Sequence, residues 1–117
     1  MRYERAPSPA PGLADAGDQV ARLRQVLALV EELAGGPAGG RDAFDQAARI
    51  SDFYSRALPI DQRRFDVAAA DTARWSAAGV EALLRIEEQG RPCRAAARTL
   101  ADRLSRALGE LARIVGA

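Results

Sequence analysis

The stretch IDQRRFDVAAADTARWSAAGVEALLRIEEQ, Ile60 to Gln89, decides the fold. It reads as one helix of about 30 residues, roughly 45 Å long at 1.5 Å per residue. At about 100° per residue, Phe65, Ala68, Thr72, Trp75, Gly79, Leu83 and Ile86 fall within an arc of roughly 80°, the width of a core-facing stripe. Beyond Gly79 the apolar arc widens to take in Val80 and Leu84. Other helices must cover this surface.

Those helices flank it on both sides. Upstream, Val20, Leu23, Leu27, Val30 and Ala34 step by three and four, with Val26 and Leu33 widening the face, which predicts a helix over Gln19 to Ala34 capped by Asp18. Gly35 ends it, and Gly35 to Gly40 (Gly-Gly-Pro-Ala-Gly-Gly) reads as a flexible hinge. The hinge lacks the Lys-Ser/Thr ending of a phosphate-binding loop and follows no strand. A second helix, Asp42 to Leu58, buries Ala43, Ala47, Ile50, Tyr54, Ala57 and Leu58, with Phe44 and Phe53 on its flanks, and Pro59 stops it. Asp61 is the expected cap of the long helix and Gly90 its stop. Downstream, Pro92 suits the first turn of a last helix running to Val115. Its stripe is Ala97, Leu100, Leu104, Ala107, Leu111 and Ile114, with Cys93, Leu108 and Val115 beside it.

Ala, Leu, Arg, Glu and Gln dominate while β-branched and aromatic residues are sparse, so strands are disfavoured. The expected fold is all-α: a small antiparallel up-down bundle, residues 19–117, of three core helices (42–58, 60–89 and 92–115) and an N-terminal fourth (19–34). Residues 1–18 are expected to form a flexible tail, because Pro7, Pro9, Pro11, Gly12 and Gly17 stand among small residues with little apolar surface to bury.

All 17 basic residues are Arg, and Lys, Asn and His are absent, a bias that bacterial GC-rich coding produces without functional cause. The missing histidine removes the usual general base and the commonest nitrogen metal ligand, so Ser-His-Asp and Cys-His catalysis and most zinc sites are excluded within this chain. Helical di-iron centres need Glu-x-x-His motifs, and none occurs. Glu31-Glu32 and Glu87-Glu88 are adjacent pairs, which diverge by about 100° on a helix and cannot converge on one ion. Cys93 lies between Arg91 and Arg94 at a helix start, a setting that favours a thiolate, but its angle places it on the apolar side, as a structural cysteine. No catalytic, cofactor or metal site is expected.

A net charge of +1 gives no whole-chain argument for nucleic acid or membrane. A single cysteine fits a reducing compartment, and neither a spanning run nor a signal-type h-region is present, so a cytoplasmic protein is expected. The charge is uneven, however, and Arg91, Arg94, Arg98 and Arg106 form a candidate anion or nucleic-acid face. Ala78-Gly79-Val80, Arg85-Ile86-Glu87, Gly90-Arg91-Pro92 and Arg106-Ala107-Leu108-Gly109 superficially resemble a helix-turn-helix of the phage-repressor type. The spacing from Gly79 to Ile86 is one residue short of that pattern, and Glu81, Ala82 and Leu83 replace its polar recognition residues. The favoured expectation is a non-enzymatic helical interaction module, an adaptor or regulator. Because the long helix outreaches its neighbours, a homodimer is expected, either with Trp75, Gly79, Val80, Leu83 and Leu84 as candidate interface or with the first helix exchanged between chains. Nucleic-acid binding through the Arg face, and a small-ligand pocket between Ala-rich helices, are the alternatives.

Overall fold

The computed structural model describes residues 15–36 and 42–117. Among these, four helices and no strands are present: α1 (Asp15–Leu33), α2 (Asp42–Arg56), α3 (Pro59–Glu88) and α4 (Arg94–Val115). The expected tail up to residue 14 and the hinge residues 37–40 lie outside the described residues, as do the side chains of Ala43 and Phe44.

The helices form an all-α up-down bundle. Gly35, just past the end of α1, lies against the Arg94 side chain at the start of α4, so these two helices run antiparallel. Trp75 under Arg103 and Gly79 against Leu100 set α3 antiparallel to α4. Both α1 and α3 therefore run parallel to each other, and they are neighbours, since Gln19, Arg22 and Leu23 line one small cavity with Ala69, Ala70 and Ala73. α2 packs mainly on α1, and α1 and α4 form the central pair.

Four boundaries differ from the sequence expectation, each for a local reason. α1 is already helical at Asp15, so Asp18 is not its cap and Gly17 lies inside it. A Cβ at Gly17 would stand 3.1 Å from the Ser51 Cβ; the glycine's helix cost of about 1 kcal/mol is offset by close approach of α1 and α2. α2 stops at Arg56 because Leu58 precedes Pro59 and is held extended, at φ −64° and ψ 148°. Leu58, not Asp61, is therefore the N-cap residue of α3; Asp61 sits in the first turn and pairs with Arg64 at 3.3 Å. α4 starts at Arg94, with Cys93 as N-cap residue and Pro92 outside the helix.

Gly90 ends α3 as expected. Its φ of +73° lets its own N–H reach the Glu87 carbonyl and that of Arg91 reach the Ile86 carbonyl, closing the helix end.

The core follows the expected spacing on α1 (Val20, Leu23, Leu27, Val30) and on α2 (Ala47, Ile50, Tyr54). On α3 the stripe is rotated: Phe65, Ala69, Thr72, Ser76 and Leu83 are buried, while Ala68, Trp75 and Ile86 are half-exposed. On α4 it turns likewise, burying Leu108 and Val115 and leaving Ala107 and Ile114 half-exposed. Leu58, expected in the core, is exposed, because the extended backbone before Pro59 turns it out. The hydroxyls of Thr72 and Ser76 donate to the carbonyls of Ala68 (2.7 Å) and Ala73 (3.1 Å), so their burial leaves no unpaired donor.

The corner between α2 and α3 is locked by Tyr54. Its ring meets Phe65 edge-on at 5.2 Å, its hydroxyl donates to Asp66 Oδ1 at 3.0 Å, and its carbonyl accepts from the Gln62 side chain at 2.8 Å. Burial, then the hydrogen bond to Asp66, then that carboxylate's charge push the Tyr54 phenol up to about 12. The folded value lies above the ordinary 10.0, so protonated Tyr54 stabilises fully below pH 10 and this contribution is lost as pH rises through 12. Tyrosinate absorbance in a Tyr3→Phe background should therefore show a late titration. Tyr54→Phe should cost about 1 kcal/mol at neutral pH and make unfolding less alkali-sensitive.

Candidate interaction surfaces

Cys93 is half-buried, packs against the core and makes no side-chain capping bond. Among the described residues, no group of three Cys, Asp or Glu side chains is placed to hold a metal ion, and no helix is long and apolar enough to cross a membrane.

The five residues expected at an interface do not share one surface. Leu83 is 3 % exposed and belongs to the core. Trp75 is half-buried with the Arg103 guanidinium stacked 4.1 Å from its ring centroid, so α4 covers it with a cation–π contact. Gly79 is filled from the same side: a Cβ there would stand 2.9 Å from both δ-methyl carbons of Leu100. At about 100° per residue, Val80 and Leu84 point roughly 100° or more away from Gly79 and Trp75, toward the α1 side of α3.

There they join a second stripe. Ala70, Ala73, Ala77, Val80 and Leu84 repeat at three-four spacing on the side of α3 next to α1. On α1, Arg22, Val26, Leu29 and Leu33 repeat in the same way, beginning in the cavity of about 210 Å³ that Arg22 lines with Ala70 and Ala73. The two stripes thus lie on neighbouring parallel helices. Leu29 is 43 % and Leu84 44 % exposed; Val26, Leu33 and Val80 are half-buried. Leu29 was missed by sequence reasoning, which assigned Val26 and Leu33 to the core face; the shared three-four spacing was the available signal.

A different apolar groove, of about 600 Å³, lies on the outer face of α3 beside the end of α4. It is lined by Ile60, Val67, Ala68 and Ile114 with Arg63, Arg64, Asp71 and Arg74. Val67 is 71 % exposed.

Arg91, Arg94, Arg98 and Arg106 are all exposed, but they do not make one basic strip. Arg94 lies on Gly35, Arg91 donates to the Gln89 side chain at 2.9 Å, and Asp102 stands one helical turn from both Arg98 and Arg106. Arg113 is paired with Glu110 at 2.7 Å. Nor is the repressor-like geometry present: Ala78 to Glu87 lie within the single helix α3, and α3 and α4 pack antiparallel instead of crossing steeply.

Comparison with protein-family models, with characterised proteins and with solved structures gives no match.

Proposed function

We propose that this protein is a non-enzymatic helical interaction module that associates with itself through apolar helix surface its own bundle leaves uncovered. The observation that carries the reading is the pair Leu29 and Leu84, both more than two-fifths exposed on neighbouring parallel helices. Large apolar side chains that a bundle leaves exposed are candidates for association surface. Symmetric dimers are the commonest soluble assemblies, and a face on two packed helices suits one.

Sedimentation of the full chain is expected to show a dimer at tens of micromolar, dissociating on dilution as a small interface requires. A monomer throughout that range overturns the reading. Binding to random duplex DNA that falls steeply with salt, and is lost on Arg94→Ala plus Arg98→Ala, would transfer it to the Arg face.

A further inference from the structure

We infer that the groove on the outer face of α3 is a docking site for a short acidic amphipathic helix of another protein. The inference goes beyond self-association and does not rest on it.

The floor of the groove is apolar and open. Ile60 is 57 % exposed and Val67 more so, while Ala68 and Ile114 close the side toward α4. Ile60, Arg64, Val67, Asp71, Arg74 and Ala78 step by four and three, so at about 100° per residue they form one line along α3. A line of that period receives a helix laid alongside it, over the roughly 21 Å from Ile60 to Arg74. Helix-in-groove recognition uses apolar anchors at this spacing.

The charge around the floor sets the sign of the occupant. Two nearby acids are already matched within the chain, Asp61 by Arg64 at 3.3 Å and Glu110 by Arg113 at 2.7 Å. Asp66 faces the other side of α3, where it accepts from the Tyr54 hydroxyl. Farther from the floor, Glu81 is offset by Arg85 on α3, and Asp102 by Arg106 on α4. What remains is Arg63 and Arg74 in the groove and Arg103 over the Trp75 ring, against Asp71 alone. The groove is therefore left positive with every neighbouring charge counted. Arg63 and Arg74 lie about three turns apart on the same flank of the line, so acids three turns apart on a partner helix meet both.

Other occupants fit less well. A second copy laid in reverse would set Arg63 against Arg74 at both ends. Asp71, on the line between the arginines, repels a uniform array of phosphates or anionic headgroups, and the exposed Ile60 and Val67 offer such an array no hydrogen bond. A partner helix that pairs apolar residues with acids answers both features.

The test selects a phage-displayed library against the full chain, using peptides of about 16 residues that are apolar at every third or fourth position and random between. The enriched peptides should be acidic. Val67→Glu should weaken their binding at least about tenfold, and so should Arg63→Glu with Arg74→Glu, because each puts like charge in the peptide's path. With the doubly reversed chain as bait, the enriched peptides should become basic. All three positions are exposed, so melting of the variants should stay near that of the parent and self-association should be unchanged. A library that yields no enriched peptide, or peptides without acidic bias, overturns the proposal, as do peptides that bind the variants as tightly as the parent. Loss of dimerisation in Val67→Glu would make the groove the self-association face and overturn it as well. Binding to phosphatidylglycerol vesicles or to random duplex DNA that the same substitutions abolish would give the groove to a lipid surface or a nucleic acid instead.

Discussion

Replacing Phe65 with alanine is expected to cost about 3 to 5 kcal/mol, the largest loss of any single truncation in this bundle. Phe65 is fully buried at the corner where α2 gives way to α3, in edge contact with Tyr54. Its neighbours along the α3 stripe are Ala69, Thr72 and Ser76, so between Phe65 and Leu83 the helix carries no large buried side chain. Small residues have little to swing into a void, and the cavity cannot close by repacking. The Tyr54 ring would lose its partner as well, leaving its bond to Asp66 as the main tie at the corner. A helical domain of this size sustains a stability of roughly 5 to 15 kcal/mol, so the variant should sit near the edge of folding. Chemical denaturation should resolve the loss, and the melting temperature should fall by at least about 12 °C. A loss below 1 kcal/mol would show that the corner is not packed as described.

The second large effect is a reversal of sign at Gly79. Alanine in place of a glycine inside a helix ordinarily stabilises by about 1 kcal/mol. Here the new Cβ would stand 2.9 Å from both methyl carbons of Leu100, so Leu100 must shift or α3 must move off α4; overpacking of this kind costs about 1 to 3 kcal/mol. Gly79→Ala alone is therefore expected to destabilise. Leu100→Ala alone should cost about 2 to 4 kcal/mol by emptying the same spot. With Leu100 already truncated, Gly79→Ala should gain about 1 kcal/mol, since the clash is gone and the propensity term remains. Urea unfolding of the four proteins completes the cycle. Additive effects would mean that the two residues do not touch.

Much of this architecture is legible in the spacing of apolar residues, and the failures have specific causes. Val20, Leu23, Leu27 and Val30 lie where three-four periodicity places them, because leucine and valine define an angle on a helix unambiguously. The run Ala68-Ala69-Ala70 does not: three alanines in succession point in three directions and fit any rotation of the stripe equally. That is why Trp75 was assigned to the centre of the core and Ser76 was not, although the helix is turned the other way. Gly17 failed for a different reason. A glycine reads locally as a helix breaker, and only the nearness of Ser51, distant in sequence, gives it a place inside α1. The candidate surface was half legible. Val80 and Leu84 stood out as surplus apolar residues on the long helix, but Leu29 acquires meaning only once α1 is seen parallel to α3.

The pairing of α1 with α4 has a consequence for how the chain is made. Ribosomes add about 5 to 20 residues each second, so roughly 4 to 16 s separate Leu33 from Val115. α1 therefore leaves the ribosome ahead of α4, the helix with which it forms the central pair. α2, which follows directly and packs on the flank of α1, is the helix at hand to shelter Val20, Leu23, Leu27 and Val30 from unwanted company. The short amphipathic helix thus has a role in time as well as in space, as interim cover for an apolar face until the last helix arrives.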